Sequence, residues 1–463
     1  MVGRVTPPRP ERIVIEGCAV ATVDGTGREY ERGHLVVEGG RIVAVGPGPA
    51  AATDQAGPVR RVDGTGCLAT PGLVNTHHHL YQWVTRGLAQ QADLFGWLTD
   101  LYPVWARIGE EDVSAAVGAG LGWLALSGCT TTTDHHYVFP AGAGDLFAAE
   151  VAEAGRVGLR FHPVRGSMDL GASAGGLPPD HLVEDTDVAL AATAEAIDRF
   201  SDPAPDAMVR VAVGPCSPFS ASERLMRDAA ALARDRGVRL HTHLAETVDE
   251  EDYCRATHGC APAEYAERLG WLGDDVWLAH GVHLDADAIG RIAASGTSLA
   301  HCPSSNARLG AGIAPVRDLL DAGASVGLGV DGAASQEAGQ LVAEVRQALL
   351  VARLRGGPTA LTAREALTLA TRGGARCLGR ADEIGSLEVG KLADVALWRL
   401  DGLGHADIAD PVAALVLGAP APVELLLVGG RPVVEGGRLS TVDERDLLLR
   451  ARRAAGRLRD ATR

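Results

Sequence analysis

Two of three adjacent histidines set the chemistry of this chain. His77-His78-His79 follows the apolar, Gly/Pro-punctuated approach Pro71-Gly72-Leu73-Val74-Asn75-Thr76. Side chains alternate along a strand, so His77 and His79 share one face and His78 takes the other. Two imidazoles on one face at a strand end can hold a metal ion. The alternative is a chance cluster among 15 histidines. Against it stand the partners that follow. His243 closes Val238-Arg239-Leu240-His241-Thr242-His243, and Asp331 closes Ser325-Val326-Gly327-Leu328-Gly329-Val330-Asp331. Three neutral imidazoles and one carboxylate, with a position left for water, suit one divalent ion per chain, Zn²⁺ or also Fe²⁺. An aspartate after a strand more often caps a helix or turn. The place of Asp331 after the last strand-like run reads it as a ligand.

Glu246 follows His243 by three residues, where strand gives way to loop. A glutamate there can shuttle a proton between activated water and a leaving group. The competing role is a surface salt bridge, since the neighbours Asp249-Glu250-Glu251-Asp252 read as solvated. His280, in Trp277-Leu278-Ala279-His280-Gly281, can polarise the attacking water, with a buried structural histidine as the alternative. Glu246, His280 and Asp331 are thus the candidate catalytic groups; His77, His79, His243 and Asp331 are the candidate ligands.

These residues end strand-like runs that alternate with helix-like segments, the rhythm of βα units. Eight runs are visible: 67–80, 130–138, 159–167, 208–217, 238–246, 276–283, 297–306 and 325–332. Eight is the number of a closed (β/α)₈ TIM barrel, and nearly every run ends in polar or titratable residues, where barrel enzymes place their chemistry. An open doubly wound sheet would want G-x-G-x-x-G after its first strand, and none is there. Outside the barrel, residues 12–68 alternate apolar and polar positions between glycine turns, and the same texture returns at Asp394–Trp398, Val423–Gly430 and Arg431–Gly436. These ends predict a composite β-sandwich built from 1–68 and 381–440, around a barrel at 69–380. Residues 441–463 predict a helix, acidic first and arginine-rich later, in keeping with the helix dipole.

Composition narrows the partners. A formal charge of −16 argues against nucleic acid or an anionic membrane. The eight cysteines form no C-x-x-C pair and read as buried thiols in a reducing cytoplasm. Met1 to Arg12 has no apolar leader, and the apolar window Val412–Val428 is interrupted by Pro420, Pro422 and Glu424. Of 43 basic residues only Lys391 is a lysine.

The set His77-x-His79, His243-x-x-Glu246, His280 and Asp331, with Gly385-Ser386-Leu387-Glu388-Val389-Gly390-Lys391-Leu392-Ala393-Asp394, resembles the amidohydrolase superfamily along essentially the whole chain. Its dinuclear branch typically bridges two metals with a carboxylated lysine; residues 1–390 contain no lysine, which excludes that branch. The mononuclear branch holds deaminases of purines, pyrimidines and pterins, and triazine hydrolases. Within it, His77–Gln82, Asp134-His135-His136-Tyr137, Arg165–Gly171, Gly176–Asp180 and His301–Gly310 are most similar to the 8-oxoguanine deaminase group and its hydroxytriazine-hydrolase relatives.

The resemblance implies a hydrolytic deaminase of an aminated N-heterocycle, with a metal-activated water attacking the amine-bearing ring carbon and releasing ammonia. A triazine-type hydrolase releasing chloride or alkylamine, or a deaminase of a specialised heterocycle, are the alternatives. A non-catalytic assembly barrel is the remote one, since every ligand and Glu246 are present. Gln82 is a candidate for a two-pronged contact with a lactam edge, Arg165 for a ring carbonyl or anion (or else a surface ion pair), and His301 for the substrate's surroundings. Trp83, Trp97 and Trp105 are read mainly as helix packing, and His135 and His136 as wall groups. Gln336-Glu337 departs from the relatives' pattern after Asp331 and leaves the substrate open. The only partners the reading calls for are a small heterocycle, water, and other copies of the chain in a homo-oligomer.

Overall fold

The computed structural model describes residues 12–51 and 58–460; the stretch Met1 to Glu11, read for a leader, and residues 461–463 of the tail lie outside it. Five strands come first: β1 (Arg12–Ala21), β2 (Glu29–Glu38), β3 (Arg41–Pro47), β4 (Val59–Asp63) and β5 (Cys67–Pro71). Eight follow with helices between them: β6 (Leu73–Asn75), β7 (Cys129–His136), β8 (Arg160–Ser167), β9 (Ala212–Pro215), β10 (Leu240–Leu244), β11 (Val276–His280), β12 (Ser298–His301) and β13 (Ser325–Leu328). Four close the list: β14 (Val395–Arg399), β15 (Val423–Val428), β16 (Arg431–Glu435) and β17 (Arg438–Leu439).

Strands β6 to β13 pair in parallel and in order, and Leu328 of β13 meets Asn75 of β6 to close the barrel. Parallel strands covered by helices bury both faces, and every residue from Leu240 to Leu244 is buried. Ala375, Leu378, Ile384 and Leu392 pack with Val74, Val164 and Trp277 in a separate interior cluster.

The two chain ends form one mixed sheet in the order β17-β16-β15-β14-β5-β1-β2-β3, with β4 alongside β1. Alternate residues of strands from both ends (Ile13, Ile15, Leu35, Val37, Val395, Leu397, Leu425, Leu427) share its core. The run 67–80 is two strands, not one. β5 pairs antiparallel with β14, the chain crosses at Gly72, and β6 enters the barrel. A Cβ at Gly72 would lie 2.2 Å from Thr130, so only glycine permits that crossing. Beside it, Arg160 at the start of β8 meets Asp394 in a buried two-pronged ion pair, 3.1 and 3.0 Å.

The tail is a helix, Glu444–Asp460, which buries Leu447, Ala451, Ala454 and Leu458. Arg457 pairs with Asp112, and Arg450 with Glu153. No helix among the described residues is long and apolar enough to cross a membrane.

Candidate metal centre

The alternation expected for His77 and His79 places both imidazoles at the mouth of the barrel. The end of β13 is tied to the end of β6: Val330 donates its N–H to Asn75 Oδ1 and Asp331 its N–H to the His77 carbonyl. That lacing brings Asp331 Oδ1 to 3.3 Å from Nε2 of both His77 and His79. His243 Nε2 lies 3.1 Å from His79 Nε2. The four residues named as ligands therefore come together around His79 Nε2, which faces both Asp331 and His243, although Asp331 is 254 positions from His77 (331 − 77).

The far side of each ring fixes its tautomer. His79 Nδ1–H donates to the His135 carbonyl at 2.7 Å, and His243 Nδ1–H to the Cys216 carbonyl at 2.6 Å. His241 Nδ1–H donates to the Trp277 carbonyl at 2.8 Å, which leaves its Nε2 to accept from His77 Nδ1–H, also 2.8 Å away. Each ligand ring is thereby left with a bare Nε2 lone pair facing the other ligands. His77 Nε2 has no hydrogen-bond partner and is fully buried. Burial pulls the His77 and His243 imidazoles well below their ordinary range, so they stay neutral, as a metal requires. For Asp331, burial acts to raise the carboxyl, yet it is held well below the carboxylate range. Its Oδ2 accepts from Ser305 at 2.6 Å and Ser335 at 3.2 Å.

Glu246 and His280 stand beside this cluster. Glu246 Oε2 is 3.6 Å from His280 Nε2, and His280 Nδ1–H donates to Asn306 Oδ1 at 2.9 Å. Glu246 is buried, and burial, with the charges of Asp331 and Glu250, pushes its carboxyl well above the usual range. Ala245, His280 and Asp331 all have positive φ, at 53°, 75° and 64°. A non-glycine residue there costs roughly 1–3 kcal/mol, and all three sit where barrel strands give way to site loops.

A narrow cleft opens over these groups. His79, His243, Glu246, His280 and Asp331 line its base, and Leu94, Trp97, Leu98, Tyr137, Phe219 and Leu309 its sides, with Cys216, Ser217 and Ser335 between. Trp97 is held by an Nε1–H bond to the Ala334 carbonyl, 3.2 Å, so it is wall as well as packing.

The three residues read as substrate contacts are not among those lining this cleft. Arg165 grips Glu184 at 2.8 and 2.7 Å, donates to the Gly166 carbonyl and lies over the Phe139 ring. Gln82 is buried in the turn Leu80–Thr85 with neither amide atom partnered, against Gly332. His301 is buried with both ring nitrogens unpartnered, and burial pulls it down to about 3. The departure Gln336-Glu337 turns away from the cleft. Gln336 donates to Glu344 and accepts from the Gly339 N–H, and Glu337 faces Arg308.

Sequence reasoning passed over His241, Asn306, Ser305 and Ser335. His241 carried a signal: it stands two residues before His243, the spacing that marked His77 and His79. The acidic run after Glu246 also differs from its solvated reading, because Glu250 is fully buried.

Residues 68–433 match the amidohydrolase family. An 8-oxoguanine deaminase of Pseudomonas aeruginosa is 46% identical over 429 residues, 92% of this chain and 95% of the relative. An isoxanthopterin deaminase of an unknown prokaryotic organism is 39% identical over 86% of this chain and 87% of the relative. The structure of atrazine chlorohydrolase from Arthrobacter aurescens, complexed with zinc, superposes with a TM-score of 0.91 at 36% identity, covering 96% of this chain and 100% of that one. With the barrel, the strand-end ligand set and these relatives in agreement, the chain belongs to the amidohydrolase family.

Proposed function

We propose that this protein is a mononuclear metal-dependent deaminase of a flat, aminated N-heterocycle of the 8-oxoguanine or pterin kind, releasing ammonia. One observation carries the reading. Three tautomer-fixed imidazoles and Asp331 gather around His79 Nε2, with the acid Glu246 facing His280 beside them.

The donor set fits a divalent ion. His77, His79, His243 and Asp331 would hold it, and a nitrogen-rich set with one carboxylate suits zinc. When bound, the ion supplies a Lewis acid that makes a coordinated water acidic near neutral pH. Asp331 and His280 would orient the attacking water and take its first proton. Glu246, whose carboxyl its buried setting raises, would give its own proton to the ring nitrogen; the proton taken from the water would pass to the departing ammonia, and the new hydroxyl would restore the proton of Glu246 as the carbonyl forms. Trp97, Tyr137 and Phe219 give the cleft aromatic sides of the kind a planar ring packs against. The identities of 46% and 39% to deaminases of 8-oxoguanine and isoxanthopterin support an amino-lactam substrate. The second reading, a triazine-type hydrolase, draws on the atrazine chlorohydrolase structure.

The test is ammonia and chloride release across guanine, 8-oxoguanine, isoxanthopterin, cytosine, adenosine and chlorotriazines, with metal content measured on the same samples. Glu246→Gln should keep its metal and lose activity by about 10²- to 10⁴-fold. Normal turnover in that variant removes the proton shuttle. Absence of stoichiometric metal, with no loss on chelation, removes the mononuclear site. Chloride release without ammonia release selects the triazine reading.

A further inference from the structure

Glu250 lies four residues beyond Glu246 in the first turn of helix Val248–His258, yet it is fully buried. Among the described residues no Lys or Arg neutralises it. Its two oxygens are used by the backbone of the catalytic turn: Oε1 accepts the Ala245 N–H at 2.8 Å and Oε2 the Glu246 N–H at 3.0 Å. Ala245 has φ 53°. Two successive N–H groups across a left-handed residue form a concave nest that binds an anion, and here the anion is a side chain of the same chain. The other side of the turn is pinned as well. The Ala245 carbonyl accepts from the N–H groups of Val282 at 2.8 Å and His283 at 2.9 Å, on the loop that follows His280. Among the described residues the Glu246 side chain has no hydrogen bond, only the contact with His280; its aim is set by its backbone.

We infer that Glu250 is a positioning residue for proton transfer: by filling the nest at Ala245–Glu246 it holds the left-handed turn that aims Glu246 at the reacting atoms beside His280. This rests on Glu246 being the proton shuttle. Burial raises the Glu250 carboxyl, and the two N–H bonds, with the His280 imidazole, oppose that rise. A glutamine in its place keeps the volume but offers one acceptor, and turns an NH₂ toward the second N–H.

The experiment compares Glu250→Gln, Glu250→Asp and Glu246→Gln as metal-loaded full-length proteins, on whichever panel ring releases ammonia fastest. Glu250→Gln should lower kcat by about 10- to 100-fold, as small misplacements of a catalytic group do. KM and metal content should stay at wild-type values, the melting temperature should fall only by the few degrees that one unpaired N–H costs, and the solvent deuterium isotope effect on kcat should rise as proton transfer becomes limiting. Glu250→Asp, which keeps the charge but reaches one N–H at most, should fall between the two. If Glu250→Gln does not fold, Glu250→Asp decides, its kcat loss at constant KM and metal content supporting the role. Wild-type kcat in either folded variant, alongside an inactive Glu246→Gln, overturns the inference and leaves the shuttle standing. An active Glu246→Gln overturns both.

Discussion

His241 Nε2 accepts from His77 Nδ1–H at 2.8 Å while its own Nδ1–H donates to the Trp277 carbonyl at the same distance. The pair is a relay of tautomers. A barrel-strand carbonyl fixes His241, and His241 fixes the protonation of His77, a ligand in the proposed site. Groups that orient a metal-bound histidine in this way are worth about 10- to 100-fold in metal affinity. His241→Phe keeps the ring stacked near Trp277 but removes the acceptor. It should raise the apparent zinc Kd by that factor in a chelator competition, with the fold retained. Unchanged affinity would show that His77 needs no such partner.

His280 has the same kind of support in Asn306, whose Oδ1 accepts its Nδ1–H. Asn306→Leu should cut kcat about 10- to 100-fold with metal content intact, because the ring loses its orientation. Asn306→Asp puts a charge at the same place, and a neighbouring carboxylate favours the imidazolium. The acid limb of the kcat profile should then move to higher pH. A profile identical to wild type in both variants would remove Asn306 from the proton path.

The sequence exposed what depends on local period and hid what depends on where a side chain turns. His77 and His79 were legible because a period of two fixes their common face. The barrel was legible because most of its buried strands read as strand-like runs with a polar end, even where, as in β7, the run itself is threonine. Gly72 hid a strand break, since the largely apolar residues 67–74 carry no mark that splits them, and the reason to split them is Thr130, 58 residues on (130 − 72). Glu250 looked like its solvated neighbours because nothing in Asp249-Glu250-Glu251-Asp252 marks the one that folds back on the turn. Arg165 ends a strand, as the ligands do, but Glu184 and Phe139, distant in sequence, decide its direction.

Arg160 and Asp394 join the barrel to the sheet made from the chain ends. Asp394 Oδ1 also accepts the Gly429 N–H at 2.7 Å. Breaking a buried pair leaves an uncompensated charge and costs about 3–5 kcal/mol. Arg160→Met should lower stability to urea by that amount. The double variant Arg160→Met/Asp394→Asn should cost less than the two single changes added together, because no charge is then left alone. Strict additivity would mean the two side chains do not act as a pair.

Asp134, His136 and Glu150 form a fully buried cluster behind β7. His136 Nε2–H donates to the Val138 carbonyl at 2.7 Å, and its Nδ1 meets Glu150. Burial pushes Glu150 from 4.5 up to about 8, and raises Asp134 well above its ordinary range too, with the charge of Glu150 adding to it. From about pH 4.5 to 8 the folded chain therefore holds a proton that the unfolded chain has released. Stability must fall as pH rises through that window, and the contribution is complete only below it. His136, pulled by burial to about 4, acts in the opposite sense, costing stability as pH falls below 6.5. Glu150→Gln removes the first effect and keeps the second. Urea midpoints measured between pH 5 and 8 should decline for wild type relative to Glu150→Gln, steadily toward pH 8. Parallel pH dependences would mean that Glu150 is already ionised in the folded protein at neutral pH, with a positive partner in the cluster.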